Sequence, residues 1–95
     1  MKIFAYNIIK NEATMDKFQP FLKEEAKHAW DLYKRGILRE FYFRTDKPGV
    51  MLVLECKDVN EAKDYIKDLP FVKEGLVEYD FVPVGAFTIF ENLFK

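Results

Sequence analysis

The first residues of the chain divide between two faces, and apolar or aromatic side chains stand on both. From Lys2 to Ile9, the residues Ile3, Ala5 and Ile9 fall on one face with Asn7 among them, and Phe4, Tyr6 and Ile8 fall on the other. A period of two predicts a strand. A polar connection follows, Lys10 to Thr14, and the period then changes. Met15, Phe18, Leu22, Ala26, Ala29 and Tyr33 recur at steps of three and four, with Phe21, Trp30 and Leu32 widening the stripe. That spacing predicts a helix over most of Met15 to Arg35. Pro20 has no N–H to give and clashes one turn back, so a short piece is expected before it and the main helix from there on. Glu24 and Glu25 lie at the positive end of that helix, Lys34 and Arg35 at its negative end, and Gly36 supplies the stop.

Ile37 to Arg44 reads as a second strand and Val50 to Cys56 as a third. Thr45-Asp46-Lys47-Pro48-Gly49 turns between them, so the two form an antiparallel hairpin. Asp58 can cap a second helix over Val59–Asp68, and Glu61 three residues on resembles a capping box. Ala62, Tyr65, Ile66 and Leu69 form its apolar face. Leu69-Pro70 ends it, Phe71 to Gly75 connects, and Leu76 to Val84 is the last strand. In the tail, Thr88 to Lys95, the side chains of Ile89, Phe90, Leu93 and Phe94 need cover from the body or from a neighbouring subunit.

This order, within one domain over residues 1–95, predicts an α+β fold. It is a ferredoxin-like βαββαβ unit with a four-stranded antiparallel sheet. An antiparallel sheet with one wet face should alternate cleanly. The hairpin does not: Phe41 and Phe43 share a face with Ile37 and Arg39, while Leu38, Glu40, Tyr42 and Arg44 share the other. In the next strand Met51 and Val53 oppose Val50, Leu52 and Leu54. One layer of helices covers one face of a sheet, and an identical sheet packed about a two-fold axis would cover the second. A homodimer is therefore expected. The alternative is a monomer with apolar strands.

Composition narrows the function. Ten Phe, five Tyr and one Trp are a large apolar supply for 95 residues. A net charge of −1 argues against a nucleic-acid partner, which needs a basic surplus. The sole cysteine, Cys56, excludes an internal disulfide and fits a reducing compartment. No apolar run is long enough to span a bilayer, and no leader pattern precedes the first strand, so a cytoplasmic protein without a membrane partner is expected. There is no HExxH, no paired-cysteine motif, no glycine-rich phosphate loop and no nucleophile elbow. No metal and no cofactor are expected.

The segment Ala29-Trp30-x-Leu32-Tyr33-x-x-Gly36-Ile37-Leu38-Arg39-Glu40-x-Tyr42-x-Arg44 resembles the first-helix-to-second-strand region of small muconolactone isomerase-like proteins. Val53-Leu54-Glu55 with Glu61-Ala62 is similar to their third strand and second helix. Leu69-Pro70-x-Val72-x-x-Gly75-Leu76 and Val82-Pro83-Val84 are similar to their closing segment. The resemblance implies the dimeric α+β barrel architecture, whose members include isomerases, cofactor-free monooxygenases and YCII-like proteins. No active-site residue of muconolactone isomerase matches residue by residue, and a shared fold does not transfer a reaction.

The residues themselves offer a few candidates. His28, the sole histidine, stands three residues after Glu25 and would act as an acid–base group oriented by it. It would otherwise be a half-exposed helix histidine beside a carboxylate. Arg39 or Arg44 would hold a substrate carboxylate, or pair internally with Glu55 or Glu25. Tyr6, Tyr42 and Tyr79, on three strands, would line one cavity suited to a small aromatic or lactone-like ligand, or simply fill the core. Trp30 is a cavity wall or a helix anchor. Asn7 could polarise a carbonyl. Together these give a small-molecule-binding protein, either a cofactor-independent isomerase working by proton transfer or a cofactor-free monooxygenase. The rival from another class is a non-catalytic binding or assembly module. The aromatic tail leaves room for higher oligomers.

Overall fold

A computed structural model describes all residues, Met1–Lys95. The first strand, β1, is Lys2–Ile9. Pro20 divides the helical stretch as its chemistry requires. A single turn, α1, spans Met15–Phe18, a tighter turn carries Gln19–Phe21, and the long helix α2 runs Leu22–Lys34. Gly36 ends it at φ +79°, a conformation that costs glycine little. Strands β2, Leu38–Phe43, and β3, Val50–Glu55, form the hairpin. Helix α3, Val59–Ile66, is capped by Asp58, whose Oδ1 accepts the Glu61 N–H at 2.8 Å. The Glu61 carboxylate reaches back to the Lys57 N–H at 3.2 Å, one residue short of a regular capping box. The expected connection after Leu69-Pro70 contains a helical turn, α4, at Pro70–Lys73, begun by the proline at its first position. Strand β4, Val77–Val84, precedes a last tight turn over Thr88–Phe94.

The sheet order is β2-β3-β1-β4, antiparallel throughout, with β1 flanked by β3 and β4. Helices α2, α3 and α4 pack on one face. The core sits there: Ile3, Ala5, Leu38, Leu52 and Leu54 of the sheet pack against Leu32, Ala62, Ile66 and Leu69. No helix is long and apolar enough to cross a membrane.

Two expectations are corrected. First, the alternation along β2 is broken. Leu38 pairs with Leu54 but Glu40 pairs with Val53, so Arg39 is an extra, bulged residue. A bulge turns the strand over. Leu38 therefore shares the helix-side face with Phe41 and Phe43, not with Tyr42. Second, α2 is rotated relative to the stripe read from its sequence. Met15, Leu22 and Ala26 are exposed, whereas Phe18, Phe21, Glu25, Ala29 and Leu32 are turned inward. Leu32 is the one fully buried member. A carboxylate thus occupies a position on the helix's buried face.

The opposite face of the sheet has no layer over it. The register places Phe4, Tyr6, Met51, Tyr42 and Val82 there together. Tyr42 is 58% exposed, Ile8 46% and Val82 43%.

Candidate functional site

Beneath α2 the core is not completely filled. A cavity of about 220 Å³ opens between α2, α4 and the sheet. Its walls are apolar: Ala29, Leu32, Leu52 and Ile66, with Phe43 and Phe71 at the rim. Three polar side chains from three elements enter it, namely Asn7 of β1, Glu25 of α2 and Tyr79 of β4.

Each is placed by a local cause. Asn7 and Tyr79 are direct partners across β1 and β4, on the helix-side face. The Asn7 Oδ1 accepts the Val50 N–H at 2.8 Å, which ties the start of β3 to β1. Gly49, at φ +147°, lies so close that a Cβ there would sit 2.9 Å from the same oxygen. Glu25 is carried inward by the rotation of α2. Its Oε1 accepts the Phe71 N–H at 2.9 Å, one of the free donors at the start of α4.

Burial governs the electrostatics. It raises the Glu25 carboxyl above the ordinary glutamate value of 4.5, opposed by the Phe71 N–H and by the charge of His28. The Tyr79 phenol is pushed far above its ordinary value by burial first and the nearby Glu25 charge second, against a hydrogen bond with Asn7. Tyr79 is therefore a neutral hydrogen-bond donor at any physiological pH. Glu25 is a half-buried carboxylate whose proton affinity has been lifted.

Of the sequence-selected residues, Glu25, Tyr79 and Asn7 meet at the cavity and the others scatter around it. His28 is exposed on α2, one turn beyond Glu25. Tyr79 lies on the cavity side, but Tyr6 and Tyr42 flank Met51 on the opposite face, so the three tyrosines do not line one cavity. Arg39 stands on the bulge beside Lys2 and Glu55, on the far side of the sheet from Glu25. Glu55 is held instead by the Met1 amino group at 2.8 Å. Arg44 pairs in two-pronged fashion with Asp46, at 2.9 and 2.6 Å, rather than with Glu55 or Glu25. It packs over Gly49 near Asn7 and lines a wider groove, about 520 Å³, with Tyr6, Lys10 and Lys47. Trp30 is neither cavity wall nor anchor: it is exposed and lies against Tyr33 at 5.4 Å between centroids. Cys56 is buried, which raises its thiol pKa and keeps it unreactive. No three metal-ligating side chains gather anywhere.

What sequence reading missed is the grouping of Asn7, Glu25 and Tyr79. The signal was present as polar residues at positions whose neighbours along the same face are apolar.

No family model matches the chain, and no curated protein matches it in sequence. Among solved structures it is similar to 5-chloro-2-hydroxyhydroquinone dehydrochlorinase (TftG) from Burkholderia phenoliruptrix AC1100, in complex with 2,5-dihydroxybenzoquinone. The TM-score is 0.65 at 17% identity, over 90% of this chain and 94% of that one. The likeness is one of fold: both chains share a ferredoxin-like α+β architecture, here with a four-stranded antiparallel sheet.

Proposed function

We propose that the chain is a homodimeric small-molecule protein that takes a single-ring oxygenated compound into the cavity under α2 and catalyses cofactor-independent proton transfer on it. The observation that carries this reading is the convergence of Asn7, Glu25 and Tyr79 on one otherwise apolar cavity. Size supports it. An apolar cavity of about 150 Å³ holds a benzene molecule, so about 220 Å³ suits one ring with a few substituents. TftG is described with a compound of that size, 2,5-dihydroxybenzoquinone. The muconolactone isomerase-like pattern in the sequence points to lactones and acids derived from aromatic rings.

The chemistry follows from the two protonation states. Ionised Glu25 takes a proton from one carbon of the ligand and, as the acid, returns it to another. Tyr79 donates its O–H to the ligand oxygen on which charge collects between the two transfers. Atoms and charge balance without a co-reactant, giving an isomerisation. A carboxyl whose hold on its proton is strengthened by burial suits both halves of the exchange. His28, a turn away in solvent, would carry protons between Glu25 and water.

The dimer would complete the molecule. A second sheet laid on the uncovered face buries Phe4, Tyr6, Tyr42 and Val82. With the two-fold axis along the strands, β4 of one copy comes beside β2 of the other, and both free edges find partners.

The test is a thermal-shift titration with 2,5-dihydroxybenzoquinone and simple lactones, followed by deuterium exchange from solvent into whichever compound binds. Wild type should exchange label, and Glu25→Gln should bind but not exchange. Exchange at the wild-type rate in Glu25→Gln removes the mechanism. The rival reading is a binding module in which Glu25 only clamps α4, and its bond to the Phe71 N–H favours that. Tight binding with no exchange in wild type would select it.

A further inference from the structure

Two aromatic surfaces on this chain lack a partner. The first is a stripe running from α2 onto the edge strand β2. Trp30 lies on Tyr33, and Tyr33 meets Phe41 edge-on at 5.5 Å. Phe43 continues the line, 85% exposed, at the rim of the cavity. The second is the segment after β4. Every residue from Gly85 to Lys95 is exposed, including Phe87, Ile89, Phe90, Leu93 and Phe94. Phe94 is 85% exposed. This segment extends away from the body. The Cα radius of gyration is 15.4 Å and the longest dimension 57 Å, whereas a compact chain of this length has a radius of about 12 Å.

We infer that the Phe87–Phe94 segment of a second copy docks on the Trp30–Tyr33–Phe41–Phe43 stripe and closes the mouth of the cavity. The site is then incomplete without the partner's tail. The inference rests on the dimer proposed above, and topology selects the occupant. The tail leaves the sheet from β4, and the stripe lies at the opposite edge, three strand spacings or about 14 Å away. In the closed barrel the strand beside β2 is the partner's β4, so the tail that emerges there is the partner's. Area agrees. Aromatic side chains bury roughly 150–250 Å² each, so two exchanged tails with three phenylalanines apiece add on the order of 1,000 Å², the scale of a specific interface. Tail closure also explains why so exposed a side chain as Phe43 stands where a ligand must enter.

Trp30 is the sole tryptophan and reports on the stripe directly. Removing residues 86–95, all of them exposed, should shift Trp30 emission to the red. In parallel, Phe43→Cys and Phe90→Cys chains are mixed and treated with a short bis-maleimide; Cys56 is buried and stays silent. The expected result is a covalent heterodimer in the mixture, together with the red shift on truncation. A dimer by sedimentation that gives neither the cross-link nor the shift overturns tail docking and leaves the sheet-face dimer standing. A monomer by sedimentation overturns both, because the tail then has no second copy to reach.

Discussion

Glu25 performs two tasks that substitution can separate. Its Oε1 accepts the Phe71 N–H at 2.9 Å, and its carboxyl is held above 4.5 by burial. Glu25→Ala removes both. The Phe71 donor at the start of α4 is left without a partner in a half-buried place, a loss of about 1–3 kcal/mol. Glu25→Gln keeps an oxygen in the same position and removes only the titration, so its cost at low pH should be small. The pH dependence separates the variants further. In the folded state Glu25 binds its proton more tightly than in the unfolded chain. The stability from that difference is complete below 4.5 and is lost as pH rises through the raised folded value. Wild type therefore carries a downward slope in that window that Glu25→Gln lacks, and Glu25→Gln should match or exceed wild type above it. The assay is urea unfolding of all three proteins at about pH 5 and about pH 8, at one protein concentration because a dimer's stability depends on it. Parallel pH responses for wild type and Glu25→Gln would refute the burial of the charge. An unchanged Glu25→Ala would refute the clamp on α4.

The remaining predictions are more local. Asp58→Ala should cost about 1 kcal/mol, because the cap on the Glu61 N–H is lost; thermal melts read it. Gly49→Ala should destabilise by more than that, since a Cβ would meet the Asn7 oxygen at φ +147°, and it should loosen the cavity wall, seen as weaker binding of 2,5-dihydroxybenzoquinone. Leu54→Ala, at the centre of the core, should cost about 2–5 kcal/mol in chemical denaturation. Val82→Lys lies on the uncovered face; it should leave the secondary structure intact by circular dichroism and split the dimer in size-exclusion chromatography.

Local signals were legible in the sequence. The alternation of β1, the break at Pro20, the stop at Gly36 and the cap at Asp58 each depend on a few adjacent residues, and all are present as read. The misplacements share another origin. Leu38 and Phe41 are both apolar and three apart, a spacing that a regular strand cannot place on one face. The bulge at Arg39 resolves this, and only pairing with β3 reveals it. Tyr79 joins Asn7 rather than Tyr6 because the register of β4 on β1 sets Tyr6 opposite Asp80. No single strand's pattern contains that register. The inward turn of Glu25 depends in the same way on how α2 rolls onto the sheet, where the Phe71 donor meets it. The site was hidden because its members come from β1, α2 and β4, and only tertiary packing brings them together.

The account depends most on the uncovered sheet face, since the barrel, the exchanged tail and the closed cavity all follow from covering it with a second copy. Sedimentation equilibrium at micromolar concentration measures this directly. A particle of twice the chain's 11.3 kDa, falling to one chain in Val82→Lys, is the predicted result. A well-folded particle of 11.3 kDa for the wild-type chain would contradict it.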